Sequence, residues 1–304
     1  MKDIIFIVGP TALGKTEISY HLARQISAQI VSCDSMLIYR EPQIITSKPP
    51  SYMLDGVKHC FVGSIPVADS YSVFDYCKKA FEVISELSAK GEPVVVCGGS
   101  GLYVKAILDG IIKGPARDQN LRNTLLQRAE LKGKQYLYEE LKKVDPKTAE
   151  KISISDLKRI IRALEVYYTT GIPISAKRQK TTGLWGKFPV KVFGLRARRE
   201  NMYSRINKRV DLMFEQGAVA EVRKLLKLDL SITAEKIIGI GEIEKFLNGT
   251  ISQEQALDEM KKNTRNFAKR QVTWFKKDSR IEWIDIDELS PQQLAGDILK
   301  RIKK

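Results

Sequence analysis

The chain is poor in the residues that metal sites need. It has two histidines, His21 and His59, and four cysteines, Cys33, Cys60, Cys77 and Cys97. No two cysteines stand at the C-x-x-C spacing, so no zinc site is expected. Scattered thiols suit a reducing cytoplasm. There is no run of about 18 apolar residues, so no membrane-spanning helix is expected. The first residues read as a core strand, without the apolar stretch and cleavage site of a secretory signal. A cytoplasmic protein with no membrane partner is the expectation, and Asn248-Gly249-Thr250 then reads as a turn and not as a glycosylation site. Acidic residues are also scarce: 36 stand against 51 lysines and arginines, a net charge of +15. An excess of this size favours a polyanionic partner. Much of it is concentrated between residues 261 and 280, where eight basic residues accompany one acid, Asp278.

What the chain does have begins at its first strand. The apolar, β-branched run Ile4-Ile5-Phe6-Ile7-Val8 leads into Gly9, Pro10, Thr11, Ala12, Leu13, Gly14, Lys15 and Thr16, and an amphipathic stretch follows to residue 26. This is G-x-x-x-x-G-K-T between a strand and a helix, the order that a phosphate-binding loop needs. Glycines let the backbone fold around phosphate oxygens, and successive N–H groups with the helix N-terminus present positive charge to them. Lys15 is placed to reach the terminal phosphates, and the Thr16 hydroxyl to bind Mg²⁺.

Apolar strands alternate with helices over the first third: strands at 4–8, 29–33 and 93–97, helices at 16–26 and 73–89. Such a pattern implies a parallel sheet covered on both faces, with ligands bound beyond the carboxyl ends of its strands. The phosphate loop, Asp34-Ser35 and Gly98-Gly99-Ser100-Gly101 all fall at such ends, which makes one site of three loops. Residues 113–191 are mostly helical, with apolar spacing at 121–131, 135–141 and 154–168. A return strand at 189–195, helices at 199–228 and 253–277, a late strand at 280–286 and a closing helix at 290–302 complete the chain. The expected fold is α/β: a P-loop NTPase-like parallel sheet core flanked by helices, formed by residues 1–112 and 192–304, with a mostly helical insertion at 113–191.

Asp34, at a strand end, can take a proton from an attacking amine or hydroxyl, hold Mg²⁺ through water, or simply cap the next segment. The strand ending at Cys97 carries no terminal Asp, so the second magnesium carboxylate usual in P-loop ATPases is missing. That weighs against nucleotide hydrolysis. Ser100 adds a hydroxyl in a loop whose glycines admit a ligand. Arg205, on the helix opening at Arg199, can offer a bidentate guanidinium to a diphosphate or lie on a solvated face. Lys269, Arg270, Gln271 and Trp274 mix cations, an amide and an aromatic ring, suited to RNA phosphates and bases, although Trp274 and Phe275 also have the spacing of core residues.

Taken together, GPTALGKT at 9–16, DSMLIYR at 34–40, GGSGLY at 98–103, DLKRIIRALEVYYTTGIPIS at 156–175, the segment 199–210, IIGIGE at 237–242 and KRQVTWFK at 269–276 resemble the tRNA dimethylallyltransferase family, in order and over nearly the whole length. The resemblance implies transfer of a dimethylallyl group from dimethylallyl diphosphate to N6 of the adenosine 3′ of the anticodon, in tRNAs reading codons that begin with U. It implies that residues 9–16 and Arg205 bind the diphosphate with Mg²⁺ on Thr16. It makes Asp34, Ser100 and Arg205 the catalytic set. Asp34, Ser35, Met36, Leu37, Ser100, Lys158, Arg159, Arg162, Lys269, Arg270, Gln271 and Trp274 become tRNA contacts, with the insertion gripping the anticodon stem. A basic surface with no obvious exposed apolar stripe makes a monomer the expectation. An enzyme acting on free adenine nucleotides, a small-molecule P-loop kinase and a non-catalytic RNA binder are the alternatives. The chain departs from the family's usual residues at Leu37 (often Gln), at Ile45–Ser47 (Gly-Thr-Ala), at Cys60 (His) and at Ile240 (Tyr). These positions belong to base-reading segments and not to the diphosphate machinery.

Overall fold

The computed structural model describes residues 3–115, 117–178, 181–287 and 289–303. It divides into two compact units, one of Met1–Leu108 with Leu184–Lys304 and one of Asp109–Gly183. In chain order the first stretch contains β1 (Ile4–Val8), α1 (Lys15–Ile26), β2 (Gln29–Ser32), α2 (Ser51–Gly56), β3 (His59–Cys60), α3 (Val73–Ala89), β4 (Val94–Gly98) and α4 (Gly101–Asp109). The inserted unit contributes α5 (Gln119–Lys132), α6 (Lys134–Val144), α7 (Pro146–Ala149), α8 (Leu157–Thr170) and α9 (Ile174–Arg178). The chain then returns through β5 (Val190–Arg196), α10 (Arg199–Glu215), α11 (Ala218–Leu225), α12 (Ile240–Leu247), α13 (Gln253–Phe275), β6 (Ile281–Asp285) and α14 (Pro291–Ile302).

The sheet has six strands in the order β3-β2-β4-β1-β5-β6, and every pairing is parallel. β1 is central and buried at all five positions, as a parallel strand covered on both faces must be. Ile5 and Ile7 pack with Ile18 and Leu22 of α1 and with Leu294 and Ile298 of α14. α3 is tied to the sheet by the Tyr76 hydroxyl, which donates to the Ser32 carbonyl at 2.8 Å. A second cluster joins the segment after β2 (Ile38, Tyr39, Ile45) to Val210, Met213, Val222, Ile240 and Met260 of α10–α13. The strand order puts the ends of β2, β4 and β1 side by side, so the three loops of the expected site emerge from one edge. Among the described residues, no helix is long and apolar enough to cross a membrane.

The helix expected at 199–228 is in fact two. Gly217 takes φ 99°, a conformation that favours glycine, and ends α10 before α11 begins. The insertion is also shorter than expected: residues 184–191 belong with the sheet unit. There the Leu184 and Trp185 amides donate to the Ile107 and Leu108 carbonyls at 3.0 and 2.9 Å, and Val190 already begins β5.

In the inserted unit, Leu125, Leu137, Leu141, Ile160, Ile161 and Leu164 form the core. Asp118, Asp145 and Asp156 cap α5, α7 and α8. Inside lies Glu165, with no exposed side-chain surface, which receives the Asp118 N–H at 2.9 Å, Arg122 through two nitrogens at 2.8 Å and Arg162 at 2.6 Å. Burial pushes the Glu165 carboxyl up, but the hydrogen bonds from Arg122, Arg162 and Asp118 outweigh it and hold it at about 2. Arg162, expected to contact tRNA, is thus committed to an internal ion pair and to the Pro115 carbonyl. Lys158 and Arg159 are exposed on α8, the latter 3.3 Å from Asp156.

Glu165→Gln is expected to destabilise this unit by about 2–3 kcal/mol at neutral pH, less than for a fully buried pair because both arginines keep some contact with water. The carboxyl is depressed from 4.5 to about 2, so its contribution is fully present above its unfolded value and is lost as pH falls through that window. Thermal melts of wild type and variant across this range check it: the wild type should lose stability more steeply, and parallel curves would count against the pairing.

Candidate active site

The phosphate-type loop is shaped by backbone that leaves the regular regions. Gly9 has φ 140°, Ala12 φ 64° and Gly14 φ 74°. At Gly9 a Cβ would also come 2.8 Å from the Leu195 carbonyl oxygen, so the first glycine is required by the neighbouring strand as well as by the turn. Leu13 turns into the core, and Gly14 caps α1 without any side-chain cap. The first N–H groups of α1 therefore face the loop unsatisfied, an anion site by construction. Pro10 supplies a carbonyl that accepts from Lys15 Nζ at 2.7 Å. Thr16 is half-buried in the first turn.

Burial pulls the Lys15 ammonium down to about 8, with Arg209 lowering it further and Cys97 and Asp34 opposing. Arg209 is the second cation. Its Nη1 donates to Thr11 Oγ1 at 3.0 Å and its Nε to Ser47 Oγ at 2.7 Å. Burial works against its charge and Asp34 supports it. The loop bearing Ser47 is held in turn by Glu221 of α11, whose carboxylate receives the N–H groups of Gln43, Ile44 and Ile45 at 2.6–3.1 Å.

Asp34 follows β2. Its Oδ1 accepts from the Met36 amide at 2.9 Å and the Leu37 amide at 3.4 Å. Among the described residues nothing donates to Oδ2, which leaves one carboxylate oxygen open. Ser100 Oγ accepts from the Ser35 amide at 3.1 Å and donates to Ser35 Oγ at 3.3 Å, binding the loop after β4 to the loop after β2. Ser35, Met36 and Leu37 are half-exposed around Asp34. An anion cradle with two weakly compensated cations thus lies beside a carboxylate with a free acceptor. Such a site can neutralise a phosphorylated leaving group while a proton is removed nearby.

Arg205 does not join it. Its side chain is exposed, and its charge helps hold Asp287 low. The arginine on the phosphate loop is one turn later, at 209, and the sequence carried a signal for it. With the buried residues of α10 at 202, 206, 210 and 213, and about 100° per residue, Arg209 lies about 55° from the centre of the buried stripe and Arg205 about 95°. Gln271, expected at the tRNA surface, is 5% exposed and points inward. Trp274 lies against Gly101, where a Cβ would come 2.2 Å from its ring, with its far side exposed. Phe275 is core, whereas Lys269 and Arg270 on α13, and Lys276 and Lys277 just after it, are exposed. In the 237–242 segment, Glu242 receives the Gly239 amide at 2.8 Å and Asn263 Nδ2 at 2.6 Å, a cap for α12.

The described residues contain no group of three His, Cys, Asp or Glu able to hold a metal. The oxygens on offer, Thr16 Oγ1 and Asp34 Oδ2, are hard donors. They fit a magnesium ion that takes most of its ligands from phosphate and water.

The family model described as IPP transferase matches residues 37–278. The tRNA dimethylallyltransferase of Acetivibrio thermocellus is 38% identical over all of this chain and 97% of its own length. Among solved structures, the tRNA isopentenylpyrophosphate transferase of Bacillus halodurans is similar over all of this chain and 97% of its own, with a TM-score of 0.72 and 33% identity. A eukaryotic dimethylallyltransferase acting on tRNA is similar over 99% of this chain and 80% of its own, with a TM-score of 0.79 and 25% identity.

Two outcomes are expected from calorimetric titration with inorganic diphosphate. Arg209→Gln weakens binding by about tenfold to a hundredfold, the worth of a charged hydrogen bond, while Arg205→Gln stays within about twofold of wild type. Equal losses would return Arg205 to the site. The free Lys15 ammonium titrates near 8, below its ordinary 10.5, so the cost of burying its charge is fully present below pH 8 and relieved as pH rises toward the unfolded value. An arriving anion restores the proton. Binding at pH 8.5 should therefore take up protons, read from heats in buffers of different ionisation enthalpy, and zero uptake would contradict the assignment.

Proposed function

The chain belongs to the IPP transferase family and transfers a dimethylallyl group to an adenosine of tRNA, and on that premise we propose how its residues divide the work. The donor is dimethylallyl diphosphate. The acceptor is N6 of the adenosine 3′ of the anticodon in tRNAs reading codons that begin with U. The observation that carries the proposal is the open Oδ2 of Asp34 beside the cations Lys15 and Arg209.

The diphosphate lies in the loop of residues 9–16, on the N-terminus of α1, with Lys15 and Arg209 against its oxygens. As the allylic C1–O bond breaks, charge grows on those oxygens, and fixed cations in a partly dehydrated site stabilise it more than water does. N6 of adenine is a weak nucleophile because its lone pair is delocalised into the ring. The new N6–C1 bond therefore needs positioning and removal of one proton, which Asp34 accepts. Thr16 would hold magnesium together with the diphosphate, and that ion supplies further charge neutralisation when bound. Ser100 keeps Ser35, and with it the Asp34 turn, in place. The target base must leave its loop stack to reach this edge, at modest cost in a single-stranded loop. The exposed cations Lys269 and Arg270 on α13, Lys276 and Lys277 just after it, and Lys158 and Arg159 on α8 offer contacts for RNA phosphates. The same proposal includes a monomer acting in the cytoplasm.

The test is transfer of label from dimethylallyl diphosphate with Mg²⁺ to an intact tRNA, to the same tRNA with the target adenosine replaced, and to AMP. Label only in the intact tRNA is expected. Label in AMP would move the acceptor to free nucleotides. Asp34→Asn should lower kcat by about 10²–10⁴, the range of general base catalysis, with tRNA affinity within about threefold. A parallel loss of affinity would remove the catalytic role.

A further inference from the structure

Gln271 is the buried polar side chain of α13 that faces the site. Its Oε1 accepts the Thr11 N–H at 2.9 Å, and its Nε2 donates to the Gly99 carbonyl at 2.9 Å. A carboxamide presents acceptor and donor in one plane at fixed separation. One side chain therefore sets the spacing between the loop after β1 and the loop after β4. There is no slack in this arrangement. A Cβ on Gly99 would come 2.3 Å from Gln271 Nε2 and 3.1 Å from the Gly9 carbonyl oxygen.

The chain of bonds continues into the anion site. Thr11 Oγ1 accepts from Arg209 Nη1, and Arg209 Nε donates to Ser47. An unbroken path thus runs Gly99, Gln271, Thr11, Arg209, Ser47. The loop it enters needs such support, because residues 9, 12 and 14 all have positive φ and no strand ladder fixes them. Within the loop, the Pro10 carbonyl is held by Lys15, but that ammonium is the one an incoming phosphate claims. The Thr11–Gln271 bond does not draw on that ammonium.

We propose that Gln271 is a positioning residue of the transfer reaction, which fixes Thr11 and through it the Arg209 guanidinium against the diphosphate, and that it makes no contact with tRNA. This rests on the diphosphate reading of the site. It separates two jobs on adjacent residues of α13: Lys269 and Arg270 face outward, while Gln271 faces the phosphate loop.

The experiment compares full-length wild type with Gln271→Met, which keeps the length of the side chain and loses both bonds. Gln271→Glu, of the same size, replaces it if the methionine variant does not fold. Inorganic diphosphate affinity is read by calorimetry, tRNA affinity by filter binding, and kcat and KM for dimethylallyl diphosphate by label transfer. The expected result is at least fivefold weaker diphosphate binding and a kcat lowered tenfold or more, with tRNA affinity within twofold. Diphosphate affinity and kcat both within twofold of wild type would overturn the proposal. So would weakened tRNA binding with diphosphate binding intact, which would return Gln271 to the RNA surface. If the wild type transfers no label, the donor assignment fails, and the calorimetric comparison with inorganic diphosphate still decides the role of Gln271.

Discussion

Two cations, Lys15 and Arg209, are held largely out of water at the carboxyl edge of a parallel sheet, with Asp34 as the carboxylate that supports both charges. Isolated charge of this kind is costly to bury. It persists because the surrounding fold over-determines it: a central strand buried at every position, a helix whose first amides add to the positive field, and loops pinned from three directions. An anionic ligand relieves the strain. The site is therefore built in its ligand's image, with the protein's stability set against its readiness to bind.

The pinning comes from parts of the chain far from the phosphate loop in sequence. α13 reaches it through Gln271, α10 through Arg209, and α11 holds the Ser47 loop through Glu221. The C-terminal helices are thus part of the active site's frame. α13 turns Ala268, Gln271 and Phe275 inward and Lys269 and Arg270 outward, and the exposed Lys276 and Lys277 follow its end. One helix therefore supports the glycine-rich loop on one side and offers a cationic surface on the other.

Charge is used differently in the inserted unit. There the buried Glu165 pairs with both Arg122 and Arg162, and hydrogen bonds satisfy the carboxylate on every side. The excess of positive charge over the whole chain is not a uniform coat. Some arginines are internal struts, and only those left exposed are available to a polyanion.

The sequence by itself determined the architecture and the place of the site. Continuous apolar strands, a strand–loop–helix with G-x-x-x-x-G-K-T, and polar residues at three strand ends are local signals, because backbone freedom, strand burial and helix periodicity act over a few residues. They placed the phosphate loop, Asp34 and Ser100 at one edge, and the ordered motifs indicated the family. Tertiary structure decided which distant side chains complete that edge. Arg209 and not Arg205 meets Thr11, because the rotation of α10 about its axis is fixed by the apolar cluster it packs into. Gln271 serves the loop, because α13 lies against two glycines whose missing side chains let it in. Arg162 serves Glu165, because a buried carboxylate must be paired. For Arg209 and Gln271 the residue type was visible in the chain, but the partner lay 198 and 260 residues away, and only packing brings such pairs together.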